Sequence, residues 1–548
     1  VRTLIFAAGL LAVAGIPGAS AEDADLIDLI SEEALRRHVT VLASDAFEGR
    51  FPGTRGGDRA ADYLSRTLEA MGLEALGDDG TYYQRVPLHG ATPLPSSRLE
   101  LWSLGQSRRL ELGEDYLLFT TGDQTTIAGR VPLVFVGYGI VAPEFDYNDY
   151  HDVEVRGKVV VYLAGEPPSD DPDYFAGADP TVYAAPETKK RIALSRGARG
   201  SLLIPRVRGD TAAAWERTRR QFVLEDLTLP YAVPGHLSAV LHPESPAWLF
   251  HDSLYDADQV ATMEATNTLR SFHLPMSLRF QGEFHTRDVL SSNVVAIRRG
   301  WDPKLADSYV VVSAHYDHLG VDLELEGDQI YNGAVDNALG TAGALELARI
   351  LAAPEMIPRR SVIFVFTTAE EEGLLGARYF LDHPPVPLSK IVANINVDGL
   401  AFHDSFNDLV GIGAELSSLG EMLETAAENI GLEVTRPPAE VWSAEAYGRS
   451  DQLAFAEAGI PAILVNEGFS WHNANRDQAL RRSLEWFQNT YHTPADDLGQ
   501  PLNFGAARLH LGAILTLLRE ATESTKPPRW RPGVPYAYQR LLSLAEGR

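Results

Sequence analysis

A chain of 548 residues is well beyond the roughly 250–300 at which a single hydrophobic core stops growing, so two or more domains are expected. Apolar residues make up 45%, as in ordinary soluble proteins, while a formal charge of −28 argues against nucleic acid and anionic lipid, which need a basic face. With no cysteine, disulfides, thiolate chemistry and all-Cys zinc sites are excluded, and any metal must be held by histidine and carboxylate.

In chain order, residues 1–21 read as a secretory signal. Arg2 supplies the positive start, residues 4–16 the short apolar run, and Ala19-Ser20-Ala21 the small-residue cleavage pattern. The mature chain would then begin near Glu22 and be exported to the periplasm or beyond, in a bacterial host. The apolar run is shorter than the ~20 residues a membrane-spanning helix needs, and no other segment qualifies.

Ser31 is placed to cap a helix starting at Glu32. Residues 57–71 form a clearer helix, because Ala60, Tyr63, Leu64, Thr67, Leu68 and Met71 recur at the spacing of one buried face and Gly72 then stops it. The stretch between, SDAFEGRFPGTRGG (44–57), has the Gly and Pro density of an ordered loop. From 118 to 275 short β-rich runs (131–136, 158–163, 200–204) alternate with Pro- and Asp-rich loops, the texture of a small β-rich domain inserted in the chain. From Asn293 onward strands alternate with helices, as in a doubly wound α/β sheet. Strands are expected at 293–298, 309–314, 361–367, 391–397 and 461–465, and helices at 340–353 and 416–430. The Pro-rich stretch KPPRWRPGVPYAYQ near the C-terminus reads as an irregular tail.

Three potential ligands follow these buried strands: His315 in SAHYDHLG, Glu370 and Glu371 in TTAEEEGLLGA, and Asp398 in NINVDG. In open α/β sheets the functional crevice lies at the carboxyl ends of the strands. Asp336, in NGAVDNALGTAG, adds a carboxylate just before a helix, at the favourable end of its dipole. His492, in TYHTPADD, would return from a late loop. Imidazole nitrogen and carboxylate oxygen are the donors zinc takes when thiolate is absent. Two histidines and three carboxylates suffice for two metal ions sharing a carboxylate and an activated water, leaving one glutamate of the pair free as general base.

With these motifs assembled, the chain resembles the M28 family of zinc peptidases, the aminopeptidase and glutamate-carboxypeptidase group, carrying an inserted protease-associated (PA) domain. The resemblance implies an α/β/α sandwich on a mixed, largely parallel sheet of the zinc-exopeptidase type. Residues 22–117 and 276–548 would be the two parts of the peptidase domain, the second ending in the tail. Residues 118–275 would be the PA-like insert, notably in GRVPLVFVGYGIVAP and RGKVVVYLAGEPP.

By the same resemblance, His315 and Asp398 complete one zinc site, Glu371 and His492 the other, and Asp336 bridges them. Cobalt or manganese could replace zinc. Glu370 would be the general base, Asp317 would orient the ligand histidine, and Tyr491 would polarise the scissile carbonyl. One departure is Val335, where the family often has an acid. The expected substrates are peptides and the expected activity is release of N-terminal residues, with specificity set by loops such as 402–409 and 441–449. A carboxypeptidase or dipeptidase would use the same metals. A glutaminyl cyclase or a non-catalytic binding protein on this fold would need fewer ligands.

Overall fold

The computed structural model describes residues 26–547 apart from 119–120, 172–173, 176, 178–180, 182, 207–210, 222–224 and 437–447. The expected signal at 1–21, and most of the 441–449 loop, therefore lie outside the described residues. Among the described residues no helix is long and apolar enough to cross a membrane.

The long apolar runs become the parallel centre of a ten-stranded sheet. Its four central strands, in spatial order, are Ser361–Thr367, Tyr309–His315, Ile391–Asn396 and Ala462–Glu467. Every residue of the first three is buried, as expected of strands covered on both faces. Antiparallel strands flank this centre: Phe284–Arg298 and Tyr83–Pro93 on one side, Asp408–Ile412 on the other.

Alternate side chains divide between two helical layers, as the strand's period of two requires. Val310, Val312, Val362, Phe364 and Phe366 pack with the helices Glu32–Leu42, Arg55–Ala70, Gly340–Ala352, Leu419–Asn429 and Phe504–Glu523. Val311, Ile363 and Val365 meet Leu375–Asp382 and Gln452–Glu457 on the opposite face. The result is an α/β/α sandwich on a mixed sheet.

Local chemistry sets the element ends. The Ser31 hydroxyl accepts the Ala34 amide at 3.1 Å, and Glu32 and Glu33 occupy the first turn, where the helix dipole favours acids. The next helix starts at Arg55 rather than 57, because Thr54 caps it by accepting the Gly57 amide. The strand expected at 293–298 is more than twice as long. Its first eleven residues pair with Tyr83–Pro93, from Phe284 opposite Pro93 to Val294 opposite Tyr83, and the exposed run at 285–288 hides the start of that pairing from any apolar pattern. The irregular tail gives way to a helix at Tyr536–Glu546 and is anchored by the Trp530 indole, which donates to the Gly459 carbonyl at 2.8 Å.

An eight-stranded sheet with a separate core, including Phe135, Phe250, Phe272 and Phe280, is built between Arg98 and Gln281. One strand of that stretch, Asp226–Thr228, instead joins the edge of the main sheet against Tyr83–Pro93. From there the Leu227 amide donates to the Glu372 carboxylate at 3.2 Å, next to Glu370 and Glu371.

Candidate metal centre

Parallel pairing in register is what gathers the candidate ligands. His315, the last residue of its strand, lies opposite Thr367, and Ser313 lies opposite Asn396. Glu370, Glu371 and Asp398, a few residues beyond those partners, therefore emerge at the same edge of the sheet. Ala369, just before the glutamates, is held at φ +54°, and His492 at φ +55°. Such left-handed non-glycine residues cost on the order of 1–3 kcal/mol and persist where the surroundings enforce them.

Asp336 differs from its expected setting. It lies in the turn Ala334–Leu339 with φ −107° and ψ 98°, short of the helix that starts at Gly340, and the Asp336–Asn337 peptide is cis. Its carboxylate faces imidazoles rather than the end of the helix.

His315 Nε2 stands 3.3 Å from Asp336 Oδ1, 3.2 Å from Asp398 Oδ1 and 4.0 Å from Glu370 Oε2. His492 Nε2 stands 3.1 Å from Asp336 Oδ2 and 3.0 Å from Glu371 Oε2. Asp336 thus turns one oxygen toward each histidine. His492 Nε2 nonetheless makes no hydrogen bond of acceptable direction. His315 Nδ1 faces the Asp317 carbonyl at 3.3 Å, which suits an N–H there and leaves the Nε2 lone pair aimed at carboxylates. A lone pair and an anion repel unless a proton or a cation lies between them. Two donors on one tetrahedral zinc, with bonds near 2.05 Å, stand about 3.3 Å apart, close to the 3.0–3.3 Å found here. The donor set and its spacing fit zinc.

The electrostatics agree. Burial opposes protonation of His315, yet the surrounding carboxylates, Glu370 and Asp398 foremost, raise its imidazole well above the usual value. His492, likewise buried, is pushed up to about 10 by Glu371 and Asp336. Burial alone would raise the Asp336 and Glu371 carboxyls, but the histidines hold both well below the usual range. For Glu370 burial prevails, reinforced by Glu371 and Asp398, and its carboxyl lies well above the usual range. Asp398 and His492 keep 22% and 16% of their side-chain surface open, so the cluster is accessible from one side.

Around this cluster stand residues that sequence reasoning placed only partly. The Asp317 carboxylate is 3.7 Å from His315 Nδ1, while its oxygens accept the Glu370 and Glu371 amides at 3.1 and 3.4 Å. It therefore braces the glutamate loop as well as the histidine. Tyr491 stacks on His492 with ring centroids 3.8 Å apart, and burial together with the nearby carboxylates keeps its phenol neutral.

Four supporting residues were missed. Asn337 donates to the Val397 carbonyl at 3.0 Å and accepts the Gly399 amide at 2.8 Å, tying the Asp336 turn to the Asp398 loop. His318 lies 2.7 Å from Glu371 Oε1, and a second histidine in HYDH was the available signal. Asp496 accepts the Val335 and Asp336 amides and Arg50 donates to the Asn332 and Gly333 carbonyls, and neither carries any local motif of such a role.

The model of peptidase family M28 matches residues 293–517, a span that includes His315, Asp336, Glu371, Asp398 and His492. Residues 293–517 are an M28 peptidase domain. Aminopeptidase YwaD of Bacillus subtilis is 28% identical over 213 residues, 38% of this chain and 40% of that protein. A vacuolar membrane protease of Schizosaccharomyces japonicus is 27% identical over 306 residues, 54% of this chain and 30% of that one. The chain therefore spans less than half the length of these curated relatives. The aminopeptidase from Aneurinibacillus sp. strain AM-1 shares the fold at 17% identity and a TM-score of 0.55, over 92% of this chain and 97% of its own. Within this M28 domain the five candidate ligands converge, while Arg50, outside the matched span, donates to backbone carbonyls of the segment that carries Asp336.

Proposed function

We propose that the chain is a zinc-dependent peptidase with two metal ions held by His315, Asp336, Glu371, Asp398 and His492, and that it releases N-terminal residues from peptides. The observation that carries the dinuclear reading is the division of Asp336, one oxygen 3.3 Å from His315 and the other 3.1 Å from His492. The aminopeptidase reading is supported by the likeness to YwaD.

Two zinc ions bound there would polarise the scissile carbonyl and make an attacking water acidic near neutrality. Glu370, at 4.0 Å the most remote of the carboxylates facing His315, accepts the water's proton and returns it to the leaving nitrogen. Asp317 keeps Glu370 and Glu371 in place through their amides. Tyr491, neutral and stacked on His492, donates its phenol proton in a hydrogen bond to the carbonyl oxygen as charge develops there. The eight-stranded sheet between Arg98 and Gln281, wider than the expected 118–275, serves as a PA-like domain bordering the cleft, and the Asp226–Thr228 strand that leaves it for the main sheet brings the Leu227 amide to Glu372. Export through the signal at 1–21 completes the proposal.

A panel of aminoacyl nitroanilides and short peptides, each free or N-acetylated, tests the direction of attack. Free-amine substrates should be cut and acetylated ones spared. Equal cleavage of acetylated peptides from the other end would replace this reading with a carboxypeptidase.

A further inference from the structure

Two fully buried charged side chains direct their charge at backbone groups of the segment that carries Asp336. Arg50, 1% exposed, comes from the loop between the first two helices and has φ +51°. Its Nε donates to the Tyr316 carbonyl at 2.7 Å, just after His315. Nη1 donates to the Leu42 and Asn332 carbonyls, and Nη2 to those of Gly333 at 3.0 Å and Asp336 at 3.5 Å. Five N–H groups thus meet five carbonyls.

Asp496, with no exposed surface, comes from the loop that carries His492. Its backbone carbonyl accepts the Ala334 amide at 3.0 Å, Oδ1 accepts Val335 at 2.9 Å, and Oδ2 accepts Asp336 at 3.0 Å. Gln500 Nε2 donates to Oδ1 at 2.6 Å and steadies it. Among the described residues neither Arg50 nor Asp496 forms an ion pair.

Burying a charge is costly unless it is well satisfied, so two such groups on one short segment call for a purpose. Charge-assisted hydrogen bonds are about twice as strong as neutral ones. The cation takes carbonyls of the segment and the anion takes its amides, so the peptide groups on both sides of Asp336 are held. Arg50 also reaches the strand end bearing His315, and Asp496 shares a loop with His492. The pair therefore connects the backbone of the shared carboxylate to that of both histidines it faces.

We infer that Arg50 and Asp496 are positioning residues, a two-sided clamp that presets Asp336 between the two metal positions before any metal enters. The inference rests on the dinuclear reading proposed above. Metal ligands need placement within about 0.5 Å, so loosening the bridge should weaken binding of the second ion most.

The test begins with metal-stripped wild-type protein. Amide hydrogen exchange of peptides covering 332–338 should be slow, as in the core. Exchange there as fast as in exposed loops would overturn the clamp without any variant. Arg50→Lys and Asp496→Asn should then speed exchange in that segment at least 10-fold and weaken the second equivalent in a zinc titration at least 10-fold. The double variant should lose less than the two effects combined, because both act through one segment. Folded variants with unchanged exchange and unchanged affinity for both equivalents would overturn the clamp alone. A wild-type protein that binds no zinc would overturn the dinuclear reading and the clamp together.

Discussion

Glu370 and Glu371 are neighbours in sequence with different environments. After the left-handed turn at Ala369, Glu371 comes within 3.0 Å of His492 and 2.7 Å of His318, while Glu370 stays 4.0 Å from His315. Their carboxyls are driven in opposite directions, Glu370 upward by burial and Glu371 downward by the histidines that outweigh its burial. Opposed environments on paired acids are a recurrent way to separate acid–base work from binding. Glu370→Gln should retain zinc and substrate binding while kcat falls by at least ~10²–10⁴-fold, the usual worth of general acid–base catalysis. Glu371→Ala should lower zinc content and activity together. Steady-state kinetics beside elemental analysis checks both, and a Glu370→Gln protein without zinc would show the roles exchanged.

Elements meet at the site through close approaches that leave no room for extra atoms. Gly340 opens the helix after Asp336, and a Cβ there would lie 2.0 Å from Asn337 Oδ1 and 2.8 Å from both Gly399 N and Val397 O. Gly→Ala inside a helix ordinarily stabilises by ~1 kcal/mol. Here the sign should reverse, because the added methyl pushes Asn337 off the Asp398 loop. Gly340→Ala should lose at least ~1 kcal/mol in urea unfolding, by the usual range for overpacking, together with zinc affinity. A more stable variant would refute the packing argument.

The same loop is tied to the helix Phe504–Glu523 by His510, whose Nδ1 accepts the Ala401 amide at 2.9 Å and whose Nε2 donates to the Val465 carbonyl at 3.0 Å. Burial lowers its folded pKa to about 4 from an ordinary 6.5. The unfolded chain therefore binds the proton more readily, and stability falls as pH drops from 6.5 toward 4. The shift corresponds to a loss on the order of 3 kcal/mol across that window. Unfolding of wild type and His510→Gln at pH 7 and pH 4.5 isolates the effect, and equal pH dependence of the two would exclude it.

At the scale of the molecule, candidate ligands from five places in the chain close one cluster, so metal is expected to act as a staple across the whole sandwich. An ion that binds only the folded state stabilises by RT ln(1 + [L]/Kd), about 4 kcal/mol for each site at a thousandfold excess over Kd. Removing metal with a chelator should lower the Tm by several degrees, and zinc should restore it. Calorimetry showing no shift would mean that the cluster holds no ion in the folded protein. Asp226–Thr228, which lies in sequence between two strands of the second sheet, pairs with Tyr83–Pro93 at the edge of the main sheet and brings the Leu227 amide to the Glu372 carboxylate.

Much of this arrangement was readable in the sequence because it is carried by local repetition. The buried runs at 309–314 and 361–367 are period-free apolar strands, and their register brings His315 and the two glutamates to a shared edge. The helices at Glu32–Leu42 and Gly340–Ala352 follow from capping and apolar spacing. The Tyr83–Pro93 partner of Phe284–Arg298 was not readable, because many residues of the pairing are solvent-exposed and an antiparallel neighbour 200 residues away leaves no period. Nor were Arg50, Asn337 and Asp496. Their partners are chiefly peptide groups, which every residue possesses, so no side-chain pattern announces them. The types of the candidate ligands were written in the sequence. Which oxygen faces which imidazole, and what holds Asp336 between them, is decided only when chain segments hundreds of residues apart pack together, because hydrogen bonds to buried backbone exist only in the folded state.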